Sequence, residues 1–192
     1  MTPPVRPDTH HLAVIDMQEV FADPDSAWAT PGFAEILPRV RQLVAALAPQ
    51  VTLTRFVAPD TPTGAWREYY AQWPFALRPP DAPLYDVVAG LGPARDTAGT
   101  ISATTFSKWG PALADAVGPR TLLLTGVSTD CCVLSTAVAA ADAGVPVQVV
   151  GDACAGVDAP SHDAALHVMG LYAPLIEVVE TAAVLAGQGA AG

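Results

Sequence analysis

Thr121-Leu-Leu-Leu-Thr-Gly-Val-Ser-Thr-Asp-Cys-Cys-Val133 is the stretch that decides how this chain is read. A leucine-rich run of strand length breaks at Gly126. A helical pattern then runs from Thr129 to Ala143, and Gly144 is well placed to stop it. Strand, tight turn and helix make half of the repeating unit of a parallel sheet covered by helices. The turn also carries a chemical signal. A cysteine at the start of a helix lies near N–H groups without partners and near the positive end of the helix dipole. That setting favours a thiolate and offers donors to a developing oxyanion. The competing reading is two buried helix cysteines, Cys131 and Cys132, that only pack.

Working outward, runs of strand type recur at His11–Asp16, Val51–Phe56, Gly99–Ala103, Thr121–Gly126, Val145–Val150 and Leu175–Val179. Helical patterns lie between them at Phe33–Leu47, Pro111–Val117, Thr129–Ala143 and Ser161–Leu171. This alternation predicts an α/β fold: a single-domain three-layer sandwich with about six parallel strands in the order 3-2-1-4-5-6 and helices on both faces. The domain is expected over 8–181. The small residues and glycines of 182–192 read as a frayed tail.

Composition narrows the function. At 192 residues and 51% hydrophobic, the chain suits one sizeable core. Its net charge of −10 repels phosphate backbones and anionic lipid surfaces, so neither nucleic acid nor membrane is an expected partner. Three cysteines, two of them adjacent, do not form a disulfide framework. The N-terminus lacks a signal-peptide core and no run reaches membrane-span length, so the expected compartment is cytoplasmic. Four scattered histidines suggest no metal cage.

The segment Ala58–Ala98 breaks the rhythm, being rich in proline and carrying Trp66, Tyr69, Tyr70, Trp73, Phe75 and Tyr85. Around Ala65–Phe75 the aromatics fall three and four apart, which predicts a short helix packing one side on the domain. An aromatic lid facing substrate or another subunit is the alternative, and both can hold for different faces. In a doubly wound sheet, ligands collect where the strand order reverses. Here the carboxyl ends of strands one and four meet, placing Asp16 beside the cysteine turn. Asp16 reads equally as a reactive carboxylate or as a cap of the next helix.

Taken together, Val14-Ile-Asp-Met-Gln18, Gly126-Val-Ser-Thr-Asp-Cys-Cys-Val133 and Val149-Val-Gly-Asp-Ala-Cys-Ala155 resemble the isochorismatase-like cysteine hydrolases, over a span from about His11 to Val179. The resemblance implies a Cys-Asp-Lys catalytic set that cleaves an amide, ureido or carbamoyl C–N bond of a small molecule through a thioester. It selects Cys132, the cysteine directly before Val133, as nucleophile and leaves Cys131 to packing. It implies Asp16 as the acid and base. It further implies a cis peptide joining Val127 and Ser128, with the oxyanion held by the N–H groups of Ser128 and Cys132. Members usually form dimers or larger symmetric assemblies, so a homo-oligomer, dimer or tetramer, is expected.

The family lysine is expected shortly before a Ser-x-Phe segment, at the end of strand three. Counting back from Ser107 by that spacing lands on Ala103, which carries no amine. The favoured explanation is a lysine-to-alanine substitution that impairs the enzyme. The alternatives are Lys108 swinging in from five residues later, or a natural departure with weakened activity. If the lysine position is empty, the chain reads alternatively as a non-catalytic small-molecule-binding or interaction protein on a hydrolase scaffold. A vinyl ether hydrolase of isochorismatase type is a further alternative, which Cys132 disfavours.

Nicotinamidases of the family carry Asp-x-His after strand two, where this chain has Thr54-Arg-Phe-Val-Ala-Pro59, so neither metal nor cofactor is expected. Phe21, Phe56, Trp66, Tyr70 and Trp73 are the expected aromatic substrate contacts. Arg55 is the expected partner for a substrate carboxylate.

Overall fold

The computed structural model describes residues 5–186. Along the chain lie β1 (His10–Ile15), α1 (Glu19–Ala22), α2 (Phe33–Leu47), β2 (Val51–Phe56), α3 (Trp66–Gln72), α4 (Ala94–Thr97), β3 (Gly99–Ala103), α5 (Pro111–Val117), β4 (Thr121–Val127), α6 (Leu134–Asp142), β5 (Val147–Ala155), α7 (Ala159–Gly170), β6 (Ile176–Val179) and α8 (Thr181–Ala186). The strands form one sheet in the order β3-β2-β1-β4-β5-β6, with every neighbouring pair parallel. This is the topology expected from the alternating pattern.

Strand alternation divides the core into two layers. Leu12 and Val14 of β1 meet Phe33, Ile36, Val40, Leu43 and Leu47 of α2, whose spacing of three and four puts them on one helix face. Ala13 and Ile15 point the other way, onto Leu113 and Val117 of α5 and the alanines of α6. In α6 the buried face is Ala137, Ala140 and Ala141, so that helix lies close against the sheet.

Three boundaries differ from the sequence reading. First, the helix expected over Thr129–Ala143 begins with five residues, Thr129–Val133, wound as a wider π-turn before α6 proper. Second, β5 runs on to Ala155, because its pairing with β4 jumps from Leu124↔Val149 to Gly126↔Cys154. Alternation counted along the chain cannot register a bulge that adds residues to one strand only. Third, 182–186 belongs to α8 and not to a tail. Asp152 in β5 accepts hydrogen bonds from Thr181 N at 2.7 Å and Thr181 Oγ1 at 2.8 Å, and Val184 is buried. The rest of the expected tail, 187–192, lies outside the described residues.

At the opposite end of the sheet from the strand tips, the neighbouring histidines His10 and His11 are buried on β1. His11 Nε2 shares a hydrogen bond with Thr52 Oγ1 at 2.8 Å. Burial holds both imidazoles below the ordinary histidine value, against smaller opposing effects from Arg6 and Asp8 on His10 and from Gln50 on His11. The unfolded chain takes up these protons near pH 6.5 and the folded chain resists them. Stability from this source is therefore full above that value and falls as pH drops toward the depressed folded values. Melting temperature should stay level above about pH 7.5 and decline toward about pH 5. A His11→Gln variant, which keeps a donor for Thr52, should show a shallower decline. An unchanged slope in that variant would remove His11 from the account.

Candidate active site

The carboxyl ends of β1 and β4 are pressed together by a glycine that nothing can replace. Gly126 has φ +109°, and a Cβ there would sit 2.1 Å from the Ile15 carbonyl oxygen. The chain leaving β1 turns sharply at Asp16, the sole non-glycine residue with positive φ among those described, at 48°. Aspartate tolerates this region better than bulkier residues, and such outliers gather at functional sites. The β4 strand leads through a cis Val127–Ser128 peptide into the π-turn, whose Ser128 carbonyl accepts hydrogen bonds from the Cys131 and Val133 N–H groups.

Asp16 is fully buried. Its Oδ1 accepts a 2.7 Å hydrogen bond from Thr54 Oγ1, and its own N–H donates back to that hydroxyl at 3.2 Å. Its Oδ2 lies 3.0 Å from Lys108 Nζ in an ion pair whose two side chains are both 0% exposed, yet it accepts no hydrogen bond of good geometry. One carboxylate oxygen is thus fixed by Thr54, and the other faces the Lys108 ammonium. A charge buried this deeply requires a partner, and Lys108 is that partner.

Lys108 corrects the expectation at position 103. Ala103 ends β3 beside Phe56 and offers only a methyl group; its carbonyl accepts from Val57 N. The ammonium comes from five residues on. After β3 the chain doubles back, with Thr105 Oγ1 donating to the Ser107 carbonyl. Lys108 Nζ then donates to the Thr105 carbonyl at 2.8 Å, approaches Cys132 Sγ at 4.0 Å and stands 4.8 Å from the Phe56 ring centroid. Of the three explanations for the missing strand-end amine, this geometry favours the one in which Lys108 swings in. Counting along the chain could not reveal a turn that swings a later residue under the strand end. A signal was present nonetheless: Lys108 is the one lysine in a sequence whose other eight fixed cations are arginines. A compact ammonium fits between a carboxylate and a thiol where a planar guanidinium does not.

Cys132 is 4% exposed, and Cys131 beside it is half-buried. The Cys132 thiol is raised well above the ordinary value by its hydrogen bond to Cys131, then by burial and by the Asp16 charge, with Lys108 pulling the other way. Cys131 is lowered, chiefly by accepting that bond. Cys132 is thereby pushed toward its thiol form, away from the thiolate expected at a helix start. The cause is that the residue sits deep in a π-turn, among a second thiol and a carboxylate. Cys154 is buried too and pushed up to about 12, chiefly by desolvation, which disfavours its reactive thiolate form.

A cavity of about 310 Å³ opens onto Ser128, Cys131 and Cys132. Its walls are Phe21, Trp28, Phe56, Tyr69, Trp73 and Phe106, and no charged side chain among the described residues lines it. Of the residues expected to contact substrate, Phe21, Phe56 and Trp73 line this cavity and the other three do not. Trp66 packs behind the wall, on Phe56 and Phe106. Tyr70 is buried with Tyr85 and Ala76 in a small cluster under the insert. Arg55 points away from the cavity and donates to Ser102 Oγ at 2.9 Å and to the Pro80 carbonyl at 3.3 Å. Alternation along β2 explains this, because Thr54 and Phe56 on either side of Arg55 face the site. Helix α3 divides its aromatics in the same way: Tyr70 goes to the core while Tyr69 and Trp73 go to the cavity. Cys131, read as packing, also lines the cavity. A second cavity of about 450 Å³ lies between α2 and α7 and includes neither Asp16 nor Cys132.

Gln18 was passed over in the sequence. Fully buried, it accepts from Phe56 N at 2.8 Å and donates to the Phe56 and Tyr85 carbonyls at 3.1 and 2.9 Å. One side-chain amide thereby pins the aromatic insert to the tip of β2. Among the described residues, no group of three or more His, Cys, Asp or Glu is placed to hold a metal ion, and no helix is long and apolar enough to cross a membrane.

The sequence matches the family model described as isochorismatase domain over residues 10–183. Among solved structures it is similar to a cysteine hydrolase from Pseudomonas syringae pv. phaseolicola 1448A, with 22% identity, a TM-score of 0.82, and 100% of this chain and 97% of that one covered. It is also similar to an isochorismatase family protein from Desulfovibrio vulgaris subsp. vulgaris str. Hildenborough, at 26% identity and TM-score 0.80 over 93% and 97% of the two chains. A nicotinamidase from Bacillus subtilis shares the fold at 20% identity and TM-score 0.71, over 90% and 99%. No curated protein matches the sequence.

Proposed function

Because the chain belongs to the isochorismatase family, we propose that it is a cysteine amidohydrolase acting on a small, neutral amide with a flat apolar portion. The observation that carries this reading is the buried trio of Asp16, Lys108 and Cys132, of which Cys132 opens onto an aromatic cavity. In the reaction, Cys132 Sγ attacks the carbonyl carbon as Asp16 Oδ2 takes the thiol proton. Lys108 offsets negative charge on sulfur and carboxylate in turn. The tetrahedral oxyanion is held by the N–H groups of Ser128 and Cys132. Asp16 returns its proton to the leaving nitrogen, the C–N bond breaks, and a thioester remains on Cys132. Water, deprotonated by the same carboxylate, then hydrolyses the thioester and restores the thiol. With Lys108 in the site, the alternative of a non-catalytic binding protein loses the empty position that motivated it.

The uncharged wall sets the substrate preference. With Arg55 turned to Ser102, nothing in the cavity pairs with a carboxylate, and burying an unpaired one is costly. Ammonia release measured over matched amides should favour benzamide and pyridinecarboxamides over amides that carry a free carboxylate, by at least about tenfold in kcat/KM. Arg55→Ala should leave kcat/KM for the neutral amides within about twofold. Preference for the carboxylate-bearing amide, lost in Arg55→Ala, would overturn the assignment of the wall.

A further inference from the structure

A lysine carried on a loop, and not at a strand end, needs something to hold it in register with the nucleophile. The hydroxyl of Thr136 meets that need. Thr136 lies in the first turn of α6 and is 0% exposed. Its Oγ1 donates to the Cys132 carbonyl at 2.6 Å and accepts the Lys108 backbone N–H at 2.9 Å. One buried hydroxyl therefore ties the backbone of the nucleophile to the backbone of its lysine.

Its neighbour supplies an internal control. Ser135 Oγ makes the same bond one residue earlier, donating to the Cys131 carbonyl at 2.6 Å. That bond returns within the same helical segment and has no link to Lys108. Serine and threonine commonly bond back to the carbonyl four residues earlier, and such a bond alone is unremarkable. What separates Thr136 is its second bond, across to the segment between β3 and α5.

We propose that Thr136 is a positioning residue that sets the distance between the Lys108 ammonium and the Cys132 thiol, so that its hydroxyl tunes the reactivity of that thiol without touching substrate. The inference rests on the assignment of Cys132 as nucleophile, but its test needs no substrate. Among the described residues, Lys108 Nζ meets the Thr105 carbonyl, Asp16 and Cys132, with the Phe56 ring beneath. Freeing its backbone lets the ammonium follow Asp16 alone. The thiol then loses the one group that pulls its ionisation down.

Alkylation of Cys132 by iodoacetamide, followed against pH and assigned to the residue by fragment mass spectrometry, reads this directly. Thr136→Val is nearly isosteric and removes both bonds. It should slow Cys132 alkylation near neutral pH by about ten- to a hundredfold and displace its pH profile to the alkaline side. Thr136→Ser should restore the wild-type profile, and Ser135→Ala should leave it in place. On a Lys108→Met background, Thr136→Val should change nothing further, because the effect passes through the lysine. If Thr136→Val does not fold, Thr136→Ala makes the same comparison. A folded variant whose profile matches that of Ser135→Ala overturns the proposal, as does a full Thr136→Val effect in the absence of Lys108. Should no amide prove to be a substrate, these alkylation outcomes still decide the role of Thr136.

Discussion

Lys108→Met lowers amide hydrolysis by about a hundred- to a thousandfold, the scale on which one preorganised charge or donor acts on a developing anion. It also destabilises the fold. Removing one partner of a buried ion pair costs about 3–5 kcal/mol, because the other is left uncompensated. Here the stranded group is the Asp16 carboxylate, fully buried and otherwise held by Thr54 alone. In a chain of this length that corresponds to a melting temperature lower by roughly 6–20 °C. Two further variants separate chemistry from stability. Adding Asp16→Asn to Lys108→Met removes the stranded charge and should recover most of the lost melting temperature while hydrolysis stays lost. Ala103→Lys should bring no gain, because the place against Asp16 Oδ2 is already taken. A gain in activity from Ala103→Lys, with Lys108→Met harmless, would return the site to the strand-end arrangement.

That correction marks where the sequence stopped being legible. Period-two alternation in β1 and period-3.6 spacing in α2 are local and strong, so the sheet order and both core layers follow from them. Asp16 and Cys132 were legible too, since each follows a strand whose end is set by its own residues. Lys108 was not. Its place depends on the turn at Thr105–Ser107 and on a bond to Thr136, which is 28 residues away. The cavity wall was half legible for a related reason. Phe56 follows from alternation on β2, and the same alternation, applied to Arg55, would have turned that residue outward. The division of Tyr69 from Tyr70 depends on how α3 is rotated against Val57 and Tyr85, which aromatic spacing alone leaves open. The bulge in β5 and the cap that Asp152 gives to α8 likewise depend on partners distant in sequence.

Replacing the nucleophile is expected to have the largest effect of all. Cys132→Ser removes at least about a thousandfold of the hydrolysis, because a serine hydroxyl is a far weaker acid and Asp16 is too weak a base to activate it. The side chains are nearly the same size, so the melting temperature should move by only about 2–4 °C. The neighbouring thiol makes this a demanding test. Cys131 is the more exposed of the two, lines the same cavity and ionises more readily. Judged by ease of ionisation alone, Cys131 would be the nucleophile. Geometry argues for Cys132, whose Sγ is the one that Lys108 Nζ approaches, at 4.0 Å. Cys131→Ser should accordingly keep hydrolysis within about tenfold of wild type.

The measurement that tests the account most directly is the mass of the acyl-enzyme. Acid quench during turnover of p-nitrophenyl acetate, an activated acyl donor, followed by peptide mapping, should place the acetyl group on Cys132 in the wild-type protein and in Cys131→Ser, and find none in Cys132→Ser. An acyl group carried by Cys131, or hydrolysis of a neutral amide that persists undiminished in Cys132→Ser, would contradict it.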